Sequence, residues 1–186
     1  SNAILDNQIL QCAVANQLSP TSDLIIAQHG GSYGIAKWSM QQFYELDTAD
    51  RYISFGWHKR EFSNIAKISH PKLLLKKNAV KLNNLNILYI TWASSRYFNR
   101  NWSVPIAGSA IIDYYKNILV LLKEVKPHLK RYIRVRLAPY DSEYKVGVGK
   151  FLGDDIKLSE GNFYKELNEA SLVICDHNQT TMLESM

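Results

Sequence analysis

The chain has 186 residues, 46% of them hydrophobic and 21% charged, the balance of an ordinary globular protein with enough apolar material for a sizeable core. Its net charge of +5 and pI near 9.1 suit an anionic ligand such as nucleic acid, an acidic membrane surface or a phosphorylated small molecule. No apolar run approaches the ~20 residues needed to cross a bilayer.

Ser1-Asn2-Ala3 reads as a tag remnant and is set aside. Ile9, Leu10, Ala13, Val14 and Leu18 fall at helical spacing, predicting a helix over 4–18. Ser19-Pro20-Thr21-Ser22 punctuates, and a buried strand follows at 24–27. Beyond a glycine-rich turn, Ser39–Leu46 reads as a helix and Arg51–Phe55 as a short alternating strand. His58–Asn86 is poorly patterned; His70-Pro71 and the lysine-rich stretch after it read as a crossover or linker between two lobes.

Ile87–Ile90 is a continuous apolar strand, and Thr91–Pro105 is polar, aromatic and loop-like. A long helix is predicted from about Gly108 to Lys126. Ile111, Ile112, Tyr115, Ile118, Leu119, Leu122 and Val125 form one face, and Pro127 ends it. Strand Tyr132–Leu137, a turn-rich stretch through Gly153, a short helix Asn162–Glu169, strand Leu172–Cys175 and a helix from about Thr181 complete the order. Strands alternating with helices predict an α/β fold with a Rossmann-like parallel sheet flanked by helices.

Ligands in such sheets sit at strand C-termini. Gln28-His29-Gly30-Gly31-Ser32-Tyr33-Gly34 follows one strand, with three glycines that permit positive φ and close ligand approach. His29 there is either a general base or anion ligand, or a histidine that satisfies a neighbour. The turn is not a G-x-G-x-x-G fingerprint. Thr180-Thr181-x-x-Glu184 follows another strand. It reads as a capping box, or as a phosphate site whose glutamate accepts from sugar hydroxyls.

Arg134 and Arg136 share a strand face, and Arg96 lies in a post-strand loop. Each suits phosphate or carboxylate through its planar fork, or a structural ion pair. Trp57 reads first as a core aromatic. The five histidines have no metal-ligand spacing. Cys12 and Cys175 are far apart and match no metal pattern, which favours a reducing, cytosolic setting.

Taken in order, several segments resemble the surface-carbohydrate (O-antigen and capsule) transferases of bacteria, and more distantly the CDP-glycerol glycerophosphotransferases. They are Gln28-His29-Gly30-Gly31-x-Tyr33-Gly34, Ser54-Phe55-Gly56-Trp57, Ile87–Trp92 with Arg96, Ile133-Arg134-Val135-Arg136 and Thr180-Thr181-x-x-Glu184. The resemblance implies a GT-B-type pair of lobes, here incomplete: residues 4–80 as the end of an N-terminal lobe plus linker, and 81–186 as a truncated donor-binding lobe. It implies a nucleotide-activated sugar or polyol donor, a glycan or lipid-linked acceptor, and no metal or cofactor. His29 would be the base. Gln28, Gly30, Gly31, Tyr33, Arg96, Arg134, Arg136, Thr180, Thr181 and Glu184 would bind substrate.

A cytoplasmic protein, peripheral at the inner membrane face, self-associating through its uncovered lobe and without a specific nucleic acid, is the matching expectation. The alternatives are a nucleotide-sugar epimerase of the same fold and a non-catalytic nucleotide- or polyanion-binding domain.

Overall fold

The structure is a computed structural model and describes residues 7–18, 21–69, 85–92, 110–137, 145–153, 156–178 and 180–185. It is an α/β protein with two parallel sheets flanked by helices. The chain divides into two compact units, Ser1–Lys77 together with Asn178–Glu184, and Asn78–His177.

The first unit opens with helix α1 (Gln8–Gln17), where the Asn7 side chain accepts from the Leu10 N–H as an N-cap. Its sheet has the order β1 (Ile25–Ala27), β2 (Arg51–Ser54), β3 (Ile65–Lys67), all parallel. Helix α2 (Met40–Thr48) links β1 to β2 and is capped by Ser39, whose hydroxyl accepts from the Gln42 N–H. Ile26, Tyr33, Leu46, Ala49 and Tyr52 form the core, with Trp57, Phe62 and Ile65 packed against it. Strand β3 lies inside the stretch the sequence pattern leaves unassigned. Three residues ending in lysine carry too little alternation to be recognised.

In the second unit the strand order is β6 (Lys157–Leu158), β5 (Ile133–Arg136), β4 (Ile87–Ile90), β7 (Leu172–Cys175), again all parallel. Every residue of β4 is buried, which is why its sequence is a continuous apolar run and not an alternating one. Ile87, Tyr89, Ile133 and Val135 pack with Ile118 and Leu122 of helix α3 (Ala110–Glu124) and with Leu152. Leu88 and Ile90 pack toward Ala170, Phe163 and Val173.

On α3, Ile118 and Leu122 are buried as expected, but Ile112 is 51% exposed, so the apolar stripe is narrower than the spacing suggests. Pro127 opens a four-residue helix, α4 (Pro127–Lys130).

Two elements correct the sequence reading. The stretch expected to be turn-rich through Gly153 contains helix α5 (Lys145–Leu152), whose two glycines disguise it. The two-residue strand β6 follows it. Helices α6 (Phe163–Glu169), capped by Asn162, and α7 (Thr180–Ser185) lie where they were expected. No helix among the described residues is long and apolar enough to cross a membrane.

Gly34 has φ +75, and a Cβ there would lie 2.5 Å from Cγ of the Trp57 ring. Gly34→Ala adds left-handed strain of about 1–2 kcal/mol to overpacking of about 1–3 kcal/mol. Its urea midpoint should therefore fall well below that of Gly56→Ala, where φ is +94 but the space is open.

Candidate functional site

The turn after β1 is fixed by buried amide side chains. Gln28 Oε1 accepts from the Phe55 N–H at 2.9 Å and the Trp57 indole N–H at 2.8 Å, and its Nε2 donates to the Gly30 carbonyl at 2.5 Å. Gln42, on the buried face of α2, accepts from the Gly34 N–H at 2.7 Å. Between these pins Ser32 adopts φ 68, an uncommon conformation for a residue with a side chain. Trp57 packs on Tyr52, as a core aromatic would.

Beneath the turn lies a fully buried acid. Glu45 accepts from the Tyr33 hydroxyl at 3.2 Å and the Tyr52 hydroxyl at 3.3 Å. The Tyr33 hydroxyl also lies 2.9 Å from Nδ1 of His29, which is 3.9 Å from the carboxylate itself. Burial pushes the Glu45 carboxyl up, against the opposing hydrogen bonds from the two tyrosines. Burial also lowers the His29 imidazole and raises both phenols. His29 is thus held neutral at the C-terminal end of β1, suited to proton transfer.

Gly30 meets the other expected segment. A Cβ on Gly30 would lie 2.9 Å from Oγ1 of Thr180, which the contact pattern assigns to the same unit. Helix α7 begins at Thr180, so Thr181 lies in its first turn, and Glu184 is buried. Gly31 is buried in the turn.

The arginines are placed differently. Arg134 is exposed on β5. Arg136 donates through NH1 to Glu166 at 2.6 Å and to the Gly161 carbonyl at 2.8 Å, and stacks on Phe163. Glu166 also accepts from the Ser159 hydroxyl and, at 3.0 Å, from the Gly161 N–H. Burial alone would raise Glu166, but these hydrogen bonds together hold it below its usual range. Arg96 lies outside the described residues.

Sequence reasoning did not single out Glu45, Tyr52 or Asp176. The signal for Glu45 was its spacing with Gln42, Leu46 and Ala49, which places two polar residues on the buried face of α2. Asp176, just past β7, accepts from the Tyr114 hydroxyl at 2.5 Å and the Tyr89 hydroxyl at 3.3 Å. Its other oxygen lies 2.9 Å from Nδ1 of His177. Tyr114 in turn accepts from the Trp92 N–H. Among the described residues no group of three histidine, cysteine or acidic side chains is placed to hold a metal ion.

Together these features define a parallel α/β protein with an imidazole and a glycine-rich turn just past the C-terminal end of a strand. The chain belongs to the LIC12162 family of transferases, whose sequence model matches residues 1–186. No curated protein and no solved structure matches it.

The approach of Gly30 to Thr180 predicts energetic coupling. Gly30→Ala should cost about 1–3 kcal/mol by overpacking, and most of that cost should vanish in a Thr180→Ala background, as a double-mutant cycle in urea would read.

The Arg136–Glu166 pair predicts a pH effect of definite sign. Glu166 ionises near 4.5 when unexposed to partners and lower when folded. Its contribution is therefore complete above that value and disappears as pH falls through the folded one. Arg136→Met should cost about 3 kcal/mol at neutral pH and should reduce the stability lost on acidification.

Proposed function

We propose that the chain transfers a group from a nucleotide-activated sugar or polyol donor to a glycan or lipid-linked acceptor in bacterial surface-polysaccharide synthesis. Membership of a transferase family supports the reaction class. The finer reading rests on the residues that resemble the O-antigen, capsule and CDP-glycerol enzymes. Its carrying observation is His29: a neutral imidazole at a strand C-terminus, beside a glycine turn against which the Thr180 hydroxyl packs.

In this reading His29 takes the proton of the acceptor hydroxyl as that oxygen attacks the activated carbon or phosphorus. The glycine-turn backbone around Gln28, Gly30, Gly31 and Tyr33 and the hydroxyls of Thr180 and Thr181 face the donor's phosphates. Glu184 serves the sugar or ribose. Working on cytoplasmic donors and lipid-linked acceptors would place the protein at the inner face of the membrane.

The test is nucleotide release from CDP-, UDP- and GDP-activated sugars and CDP-glycerol, with donor affinity measured by calorimetry. His29→Gln should lower turnover about 10²-fold or more, the usual worth of a general base, while leaving donor affinity nearly unchanged. Failure of every activated nucleotide to bind, or full turnover by His29→Gln, would overturn the reading.

A further inference from the structure

Among the described residues, the network beneath the glycine turn opens to solvent mainly through one side chain. Glu45 and Tyr52 have no exposure and Tyr33 has 7%, whereas the His29 side chain keeps 34%. A proton exchanged between this network and a ligand therefore passes through the imidazole.

The protons in the chain can be counted. The Tyr33 hydroxyl has one proton and two neighbours, Nδ1 of His29 and Oε1 of Glu45. When Glu45 is a carboxylate, Tyr33 and Tyr52 both donate to it. The Tyr33 oxygen then accepts from Nδ1–H, and Nε2 of His29 is left with its lone pair. When Glu45 carries a proton on Oε1, it donates to the Tyr33 oxygen. Tyr33 then donates to Nδ1, and Nε2 bears the hydrogen.

We propose that Glu45, acting through the Tyr33 hydroxyl, sets which nitrogen of His29 is protonated, and that its carboxylate form presents Nε2 as the proton acceptor. Tyr33 and Glu45 are positioning residues for His29. The use of this device in group transfer rests on the function proposed above; the tautomer does not.

The relay balances. As an acceptor hydroxyl gives its proton to Nε2, the Nδ1 proton passes to the Tyr33 oxygen and the Tyr33 proton passes to Oε1 of Glu45. The acceptor's O–H bond breaks and a carboxyl O–H bond forms. Its electron pair stays on the attacking oxygen, and the imidazole and phenol end neutral. The same burial that disfavours an imidazolium at His29 and a carboxylate at Glu45 favours this outcome. Among the described residues, the ionisable groups facing Glu45 are His29 and Tyr33 from the turn and Tyr52 from β2.

Long-range proton–nitrogen NMR on ¹⁵N-histidine-labelled full chain reads the tautomer directly, with His29→Gln assigning the signal. In the wild type, His29 should be Nδ1-protonated with a bare Nε2 at alkaline pH, and should change to the Nε2–H form as Glu45 gains its proton. Tyr33→Phe and Glu45→Gln should each lose this change. Tyr52→Phe removes a hydroxyl from the same carboxylate without touching His29 and should keep it, with a shifted midpoint.

A change that survives in Tyr33→Phe, or that Tyr52→Phe abolishes equally, would overturn the proposal. So would an Nε2–H ring at every pH in the wild type. No donor or acceptor is present in this experiment, so its failure is distinct from failure of the transfer assay.

Discussion

A carboxylate without exposed surface lies at the centre of the first unit, and the layout around it follows from its need for partners. A buried ion without hydrogen bonds is costly enough to shift its own ionisation or unfold its surroundings. Glu45 meets this constraint with two phenols, one from β2 and one from the turn after β1. Tyr33 can reach the carboxylate only if the turn folds back over α2. Gln42, one turn earlier on the same helix, fastens that turn at Gly34, and Gln28 fastens its other end. A segment without regular structure is thereby held by side chains that are themselves nearly inaccessible.

The second unit solves the same problem at the same place. Strands β4 and β7 are apolar along their length, and polar clusters gather where β4, β5 and β7 end. The register puts Ile90 beside both Arg136 and Cys175, so Arg136 and the residues just past β7 share one edge. There Glu166 closes on Arg136, and Asp176 closes on two tyrosines. Glu166 and Glu45 both have partners, but their environments differ in sign. Hydrogen bonds overcome burial at Glu166, whereas burial prevails at Glu45. The contrast follows from the hydrogen bonds that Glu166 accepts from the Ser159 hydroxyl, Arg136 and the Gly161 N–H, with the Arg136 charge added, at a side chain less completely buried than Glu45.

What could be read from the sequence follows from how much signal each element carries. Ile87–Ile90 and Leu172–Cys175 were legible to the residue, because strands paired within a parallel sheet present unbroken apolar runs. Strands β3 and β6 and helix α5 were not, being respectively too short or broken by glycine. The glycine turn stood out because glycine is rarely spent in clusters.

Glu45 was hidden for the opposite reason. An acid on a short helix looks solvated until its neighbours at helical spacing are known to be buried. Arg136 illustrates a further limit: its fork suits a phosphate and a carboxylate alike, and the partner that meets it here, Glu166, comes from a helix 30 residues away.

The strained residue in the turn ties these observations to chemistry. Ser32 at φ 68 gives up about 1 kcal/mol relative to an ordinary conformation, and nothing in its own sequence requires that choice. The conformation persists because Gln28, Gln42 and Tyr33 constrain the backbone on both sides of it. A turn so constrained holds its N–H groups and the His29 ring in one arrangement before any ligand arrives. In group transfer, donors already aimed at developing charge need no reorganisation at the moment of reaction. The buried acid thus contributes twice, once by fixing the turn in which the imidazole is set and once by touching its hydrogen-bond partner. Both contributions would be lost if Glu45 lay on the solvent face of α2, where Asp47 stands two residues further along the chain.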